Sequence, residues 1–124
     1  MKKSEMFDLM MDEVCQVCEV RKEDVISGRK LQAVVEARVL AVQYLRRIGF
    51  SNDDIATIIL RKKMSDPYYY PEIEEIKSKA KGIEKMFSSY SEHCLQSKAF
   101  CILSQDIKEF CTKQFQHDYI FLSN

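Results

Sequence analysis

The residues best suited to chemistry in this chain are cationic, and they cluster. Between Val20 and Lys63 stand ten Lys and Arg (Arg21, Lys22, Arg29, Lys30, Arg38, Arg46, Arg47, Arg61, Lys62, Lys63) against five Asp and Glu. The whole chain has 19 of each and sums to zero, so a basic stretch is balanced by acid elsewhere. A basic face on a neutral protein suits a polyanionic partner, and equally an ordinary solvated surface. The other reactive types are sparse. Cys15 and Cys18 form a C-x-x-C, but no second pair follows at zinc-site spacing. Both fall on an apolar stripe with Phe7, Met11 and Val14, where a thiol acts as a small packing residue. Cys94, Cys101 and Cys111 fall on or beside such stripes too. His93 and His117 stand far apart, each lacks a Ser, Cys or carboxylate arrangement that would suggest a triad, and both read as surface or boundary residues. With no paired carboxylates, no nucleophile–base arrangement and no Walker loop, the expectation is a non-enzyme that needs no metal or cofactor.

The elements that hold these cations are expected to be helical. A chain of 124 residues has room for one modest core. Only 3 Gly and 2 Pro give it few places for tight turns, which makes all-α the expected class. No apolar run is long enough to span a bilayer, and the acids within MKKSEMFDLMMDEV argue against a signal peptide. The odd cysteine count fits a reducing cytoplasm.

Periodicity sets the helices. Ser4 can cap a first helix running to about Val20. Lys22–Ile26 reads as a helical turn ending near Gly28, with Arg29 and Lys30 in the following loop. Gln32 to Ile48 is apolar on so much of its surface that it belongs at the centre of the core, with Ala33, Val34, Ala37, Ala41, Leu45 and Ile48 on one side. Arg38 is a polar exception within it. Gly49 suits the position just after the helix, and Arg46 and Arg47 in the last turn complement its dipole. Ser51 and Asp54 form a capping box for the next helix, with Phe50 and Ile55 as a hydrophobic staple.

Ser65 or Asp66 is the expected cap of a further helix starting at Pro67, with Pro71 either kinking it or marking its true start. Apolar residues then alternate at three and four spacings through Ile73, Ile76, Ala80, Ile83, Phe87, Tyr90 and Cys94. That stripe packs on its own core or pairs as a coiled coil, and Gly82 could split it. A last helix spans Lys98 to His117, and the apolar tail Tyr119–Leu122 needs cover. The expected organisation is a single domain, with residues 1–96 as a bundle and 97–124 as a helical extension.

Three segments resemble the C-terminal DNA-binding domain of the bacterial replication initiator DnaA, a Trp-repressor-like helix-turn-helix. EDVISGRKLQAVVEARVLAVQYL resembles that family's short helix, basic loop and long helix. SNDDIATII resembles its scaffold helix, and GIEKMFSSY the start of its last helix. The covered span runs from about Val14 to Leu95, without the initiator's ATPase half. The resemblance implies a helix-turn-helix bundle with an extra C-terminal helix. It also implies that Lys30, beside Arg29, reaches into a DNA minor groove. Lys22, Arg46, Arg61, Lys62 and Lys63 are the expected phosphate contacts, and Ser65, Tyr68 and Tyr69 would open the recognition helix. The family's Asp-His-Thr-Thr run has no counterpart here, where Lys63-Met64-Ser65-Asp66 or Asp66-Pro67-Tyr68-Tyr69 stands.

Two functions follow from these readings. One is sequence-directed binding of double-stranded DNA by a regulatory or replication-accessory factor. The other is a helical protein-interaction module that keeps the fold without the DNA, with a homodimer through the C-terminal helices among its forms. Neither involves a membrane.

Overall fold

The computed structural model describes residues 2–64, 66 and 68–115, and over these the chain is helical throughout. Six helices follow in order: α1 (Lys3–Cys18), α2 (Lys22–Ser27), α3 (Gln32–Arg47), α4 (Asn52–Lys63), α5 (Ile73–Leu95) and α6 (Lys98–Gln114). The all-α expectation holds. Ser65, Pro67, His117 and the Tyr119–Leu122 tail lie outside the described residues.

α3 is the hub. Val34, Val35, Ala37, Val39, Leu40, Ala41, Val42, Tyr44 and Leu45 are all buried, and the other five helices each pack against it. Ala33 is the exception to the expected face and is exposed. Phe7, Met10, Met11 and Val14 bring in α1, while Phe100, Ile107 and Cys111 bring in α6. A buried tyrosine hydroxyl must find a partner, since an unmade bond there costs more than a made one gains. The Tyr44 hydroxyl meets the Ser104 carbonyl at 3.0 Å and the Ser104 Oγ at 2.8 Å, which fixes α6 against α3. The apolar face of α6 is therefore covered by its own chain.

Local chemistry sets the ends. Lys2 rather than Ser4 holds the N-cap position of α1, without a side-chain cap bond, and Glu19 closes the helix in the left-handed region at φ 55°. Gly28 ends α2 at φ 88°, and Gly49 turns the chain after α3 at φ 107°. The Phe50 N–H then returns to the Leu45 carbonyl at 2.9 Å. The Ser51–Asp54 box is complete, with both reciprocal bonds made, and Phe50 and Ile55 are buried as the staple requires.

The second half differs from expectation. α5 starts at Ile73, so Tyr68 and Tyr69 belong to the link from α4 rather than to a helix; Pro67 lies outside the described residues. Pro71 lacks an N–H and disfavours helical backbone at Tyr70. Asp66 closes a turn instead of capping a helix: its Oδ1 accepts from the Tyr68 N–H at 2.9 Å, and its carbonyl accepts from Tyr69 at 3.2 Å. Glu72 then caps α5 through a box with Glu75. Gly82 does not split α5, which runs unbroken past it. Along the expected stripe, Ala80, Ile83 and Cys94 are buried, but Ile73 is 70% exposed, so its middle packs on its own core and its start does not.

Arg38 is what orders the loop after α2. Its Nε donates to the Val25 carbonyl at 2.9 Å, and its Nη2 to the carbonyls of Asp24 at 3.1 Å and Arg29 at 2.9 Å. These are the orphan acceptors at a helix C-terminus, and one guanidinium satisfies them together with the loop. Replacing Arg38 by Met should lower unfolding free energy by about 2–3 kcal/mol, from the lost charge-assisted bonds. Urea denaturation checks it, and Lys at this position should recover less than half, because an ammonium lacks the planar fork.

Candidate nucleic-acid interface

The cations expected from sequence divide into two sets. Lys22, Arg29, Arg46 and Lys62 are each held by a carboxylate. Lys62 Nζ lies 2.6 Å from Asp8 Oδ1, and Lys22 Nζ lies 3.5 Å from the same atom and 2.9 Å from Asp12. One carboxylate on α1 thus ties the start of α2 to the end of α4. Arg29 reaches Asp24 at 3.5 Å. Arg46 reaches Glu84 at 3.3 Å and stacks over the Phe87 ring at 4.9 Å. Lys30, Arg61 and Lys63 have no carboxylate partner among the described residues. All three are exposed, and Arg61 lies over the Tyr70 ring at 4.8 Å.

Burial would raise the Asp8 carboxyl, but the Lys62 and Lys22 ammoniums outweigh it and hold it below its ordinary value of 3.8. Asp54 behaves alike: burial is outweighed by Lys3, 2.7 Å away, and by the Ser51 bonds. A depressed carboxylate contributes stability that is present above the unfolded value and lost as pH falls through the folded one. The midpoint of urea unfolding should therefore stay level near neutrality and drop below about pH 4. Asp8→Asn should lower the midpoint at pH 7 and make that acid drop shallower.

The aromatic residues of the link separate as well. Tyr68 and Tyr70 are 86% and 75% exposed. The Tyr69 hydroxyl donates to Glu75 Oε2 at 2.7 Å, and that carboxylate bond holds it above the usual tyrosine range. Glu74 and Glu75 occupy the first turn of α5, just after Glu72. Acids complement the helix dipole there, and they would repel a phosphate brought to the same end. A helix-turn-helix joins its helices through a turn of roughly three or four residues. Here residues 64–72 intervene between α4 and α5.

A groove of about 720 Å³ opens between the basic loop and α5. Val35, Val42, Ile59, Ile83 and Met86 give it apolar walls, and Lys30, Arg38 and Lys79 place cations on it. Lys79 was not singled out from sequence, although it stands three residues after Ile76 and four before Ile83, where a helix brings it to the edge of the buried stripe. Burial, the Lys63 ammonium and the Arg38 guanidinium all push Lys79 below the usual lysine range. Lys30 and Lys79 therefore line one groove, with the Lys63 ammonium near Lys79, while Lys22 and Lys62 turn to α1.

The cysteines look inward. Burial pushes the Cys15 thiol up to about 11 and those of Cys18 and Cys111 to about 12, so all three are protonated at neutral pH. Cys15 and Cys18 are not joined by a disulfide. Cys101 differs in being exposed, as does His93. Among the described residues, no group of three His, Cys, Asp or Glu is placed to hold a metal ion, and no helix is long and apolar enough to cross a membrane.

No protein-family model matches this chain, and no curated protein or solved structure is detectably similar to it. The likeness to the initiator's DNA-binding domain rests on the three sequence segments alone.

Proposed function

We propose that this protein is a non-enzymatic binder of double-stranded DNA, with a regulatory or replication-accessory role. It grips the duplex through the loop at Gly28–Leu31 and the end of α4. The carrying observation is that Lys30, Arg61 and Lys63 are exposed and lack carboxylate partners among the described residues, while the neighbouring cations Lys22, Arg29 and Lys62 are neutralised within the chain. The bonds from Arg38 pre-order the loop carbonyls, so a cation offered there loses less entropy on binding. The sequence likeness to the initiator domain supports the same surface. Phosphate contacts of this kind position a protein and carry no base identity. Direct reading by the start of α5 is disfavoured by Glu72, Glu74 and Glu75.

The test is a salt titration of duplex affinity by fluorescence anisotropy. Three neutralised phosphates give a slope of log K against log salt of about −3. Lys30→Ala and Lys63→Ala should each weaken binding to any duplex sequence and flatten that slope by about one. Lys108→Ala, an equal charge change on α6, should do neither. A slope near zero removes the proposal.

The interaction-module reading draws on a different observation. Met64, Tyr68, Tyr70 and Ile73 are exposed apolar residues on and beside the link, next to the acids of α5. Molar mass in solution separates the two readings. A dimer whose mass is unchanged by added duplex favours the module; a monomer that gains the mass of the duplex favours the DNA binder.

A further inference from the structure

We infer that the groove between the basic loop and α5 is a binding site for an amphiphilic carboxylate, a small molecule with an apolar chain or ring and one anionic head. Its volume of about 720 Å³ is that of a small-molecule pocket, and its lining follows the usual pattern of apolar walls with a few convergent polar groups. The head is set by charge. Arg38 uses Nε and Nη2 on backbone carbonyls, and its Nη1 has no acceptor among the described residues. Lys79 has no carboxylate partner among the described residues, and the charges acting on it are those of Lys63 and Arg38, both cationic. Three cations held together at the edge of apolar walls repel one another until an anion joins them. Lys79 sets the head one turn past Glu74 and Glu75, and the apolar wall that runs on to Met86 and Tyr90 takes the tail.

Gly82 adds an independent observation. Glycine inside a helix is unfavourable, so one there needs a reason. Gly82 does not adopt positive φ, and a Cβ built on it meets no atom within 4 Å. Neither backbone conformation nor close packing calls for it. It lies on the groove, and what the missing side chain leaves is room in the wall.

The groove shares Lys30 with the proposed DNA surface and lies beside its Lys63, and the two activities are assayed separately on the full chain. Without DNA, decanoate below its micellar concentration is titrated by calorimetry and by amide NMR, against decanol, decyltrimethylammonium and acetate. Decanoate should bind and shift the amides around Lys79, Gly82, Ile83 and Met86. Decanol should bind at least tenfold more weakly, and acetate and decyltrimethylammonium not at all. Lys79→Met, which keeps the apolar stem, should weaken decanoate at least tenfold. Gly82→Phe should abolish decanoate binding while the melting temperature stays at or above that of the parent chain. The inference is overturned if decanoate does not bind, if its shifts map elsewhere, if decanol or the cationic amphiphile matches it, or if a folded Gly82→Phe protein still binds it. The native-chain shift map and the headgroup series decide the matter even if a variant fails to fold. The decanoate series is read without DNA and the salt titration without decanoate, so the two proposals can fail separately.

Discussion

A single guanidinium organises the half of this molecule that carries the basic loop and the groove. Arg38 sits in the helix that buries the most residues, and burial disfavours its charge. It is tolerated because α2 is too short to hide its own carbonyls and ends in a glycine that points them at α3. The charge and the orphan acceptors solve each other's desolvation problem. Without that bond set, α2 would be one and a half turns of helix with little to keep it, since Val25 is its only deeply buried residue. The loop, its cations and the wall of the groove all inherit their positions from this contact.

Charge pairing then decides which cations face outward. Asp8 stands on α1, far in sequence from Lys62, and takes two lysines out of circulation. Half-exposed ion pairs add only modest stability, so their larger effect here is on the distribution of potential. The positive surface that remains is narrower than composition implies, and it lies on the side of Lys30, Lys63 and Lys79.

Much of the first half was legible because its signals are local. The apolar breadth of residues 32–48 named the central helix, and Ser51 with Asp54 named the next start. Gly28 and Gly49 marked their turns. The start of α5 was not legible from local pattern. Pro67 is a good first helical residue by itself, yet Pro71 denies helical backbone just where such a helix would need it, and Glu72 offers a competing cap. The role of Arg38 was hidden for another reason: its acceptors are backbone carbonyls, which leave no mark in a sequence. The neutralisation of Lys62 was equally hidden, because its partner arrives only through the packing of α1 on α4. Ser65, named as part of the interface from sequence, falls outside the described residues. Lys79 was readable from its spacing and was missed because lysine is discounted beside an apolar stripe.

The hydroxyl of Tyr44 carries a further consequence. Apolar faces adhere in many alignments, and α6 could slide along α3 by a turn at small cost in buried area. It could not do so without stranding the tyrosine oxygen in a dry interior, away from Ser104. The pair thus works as a detent: it adds modest adhesion, but it makes one alignment of the last helix discrete among near-equals.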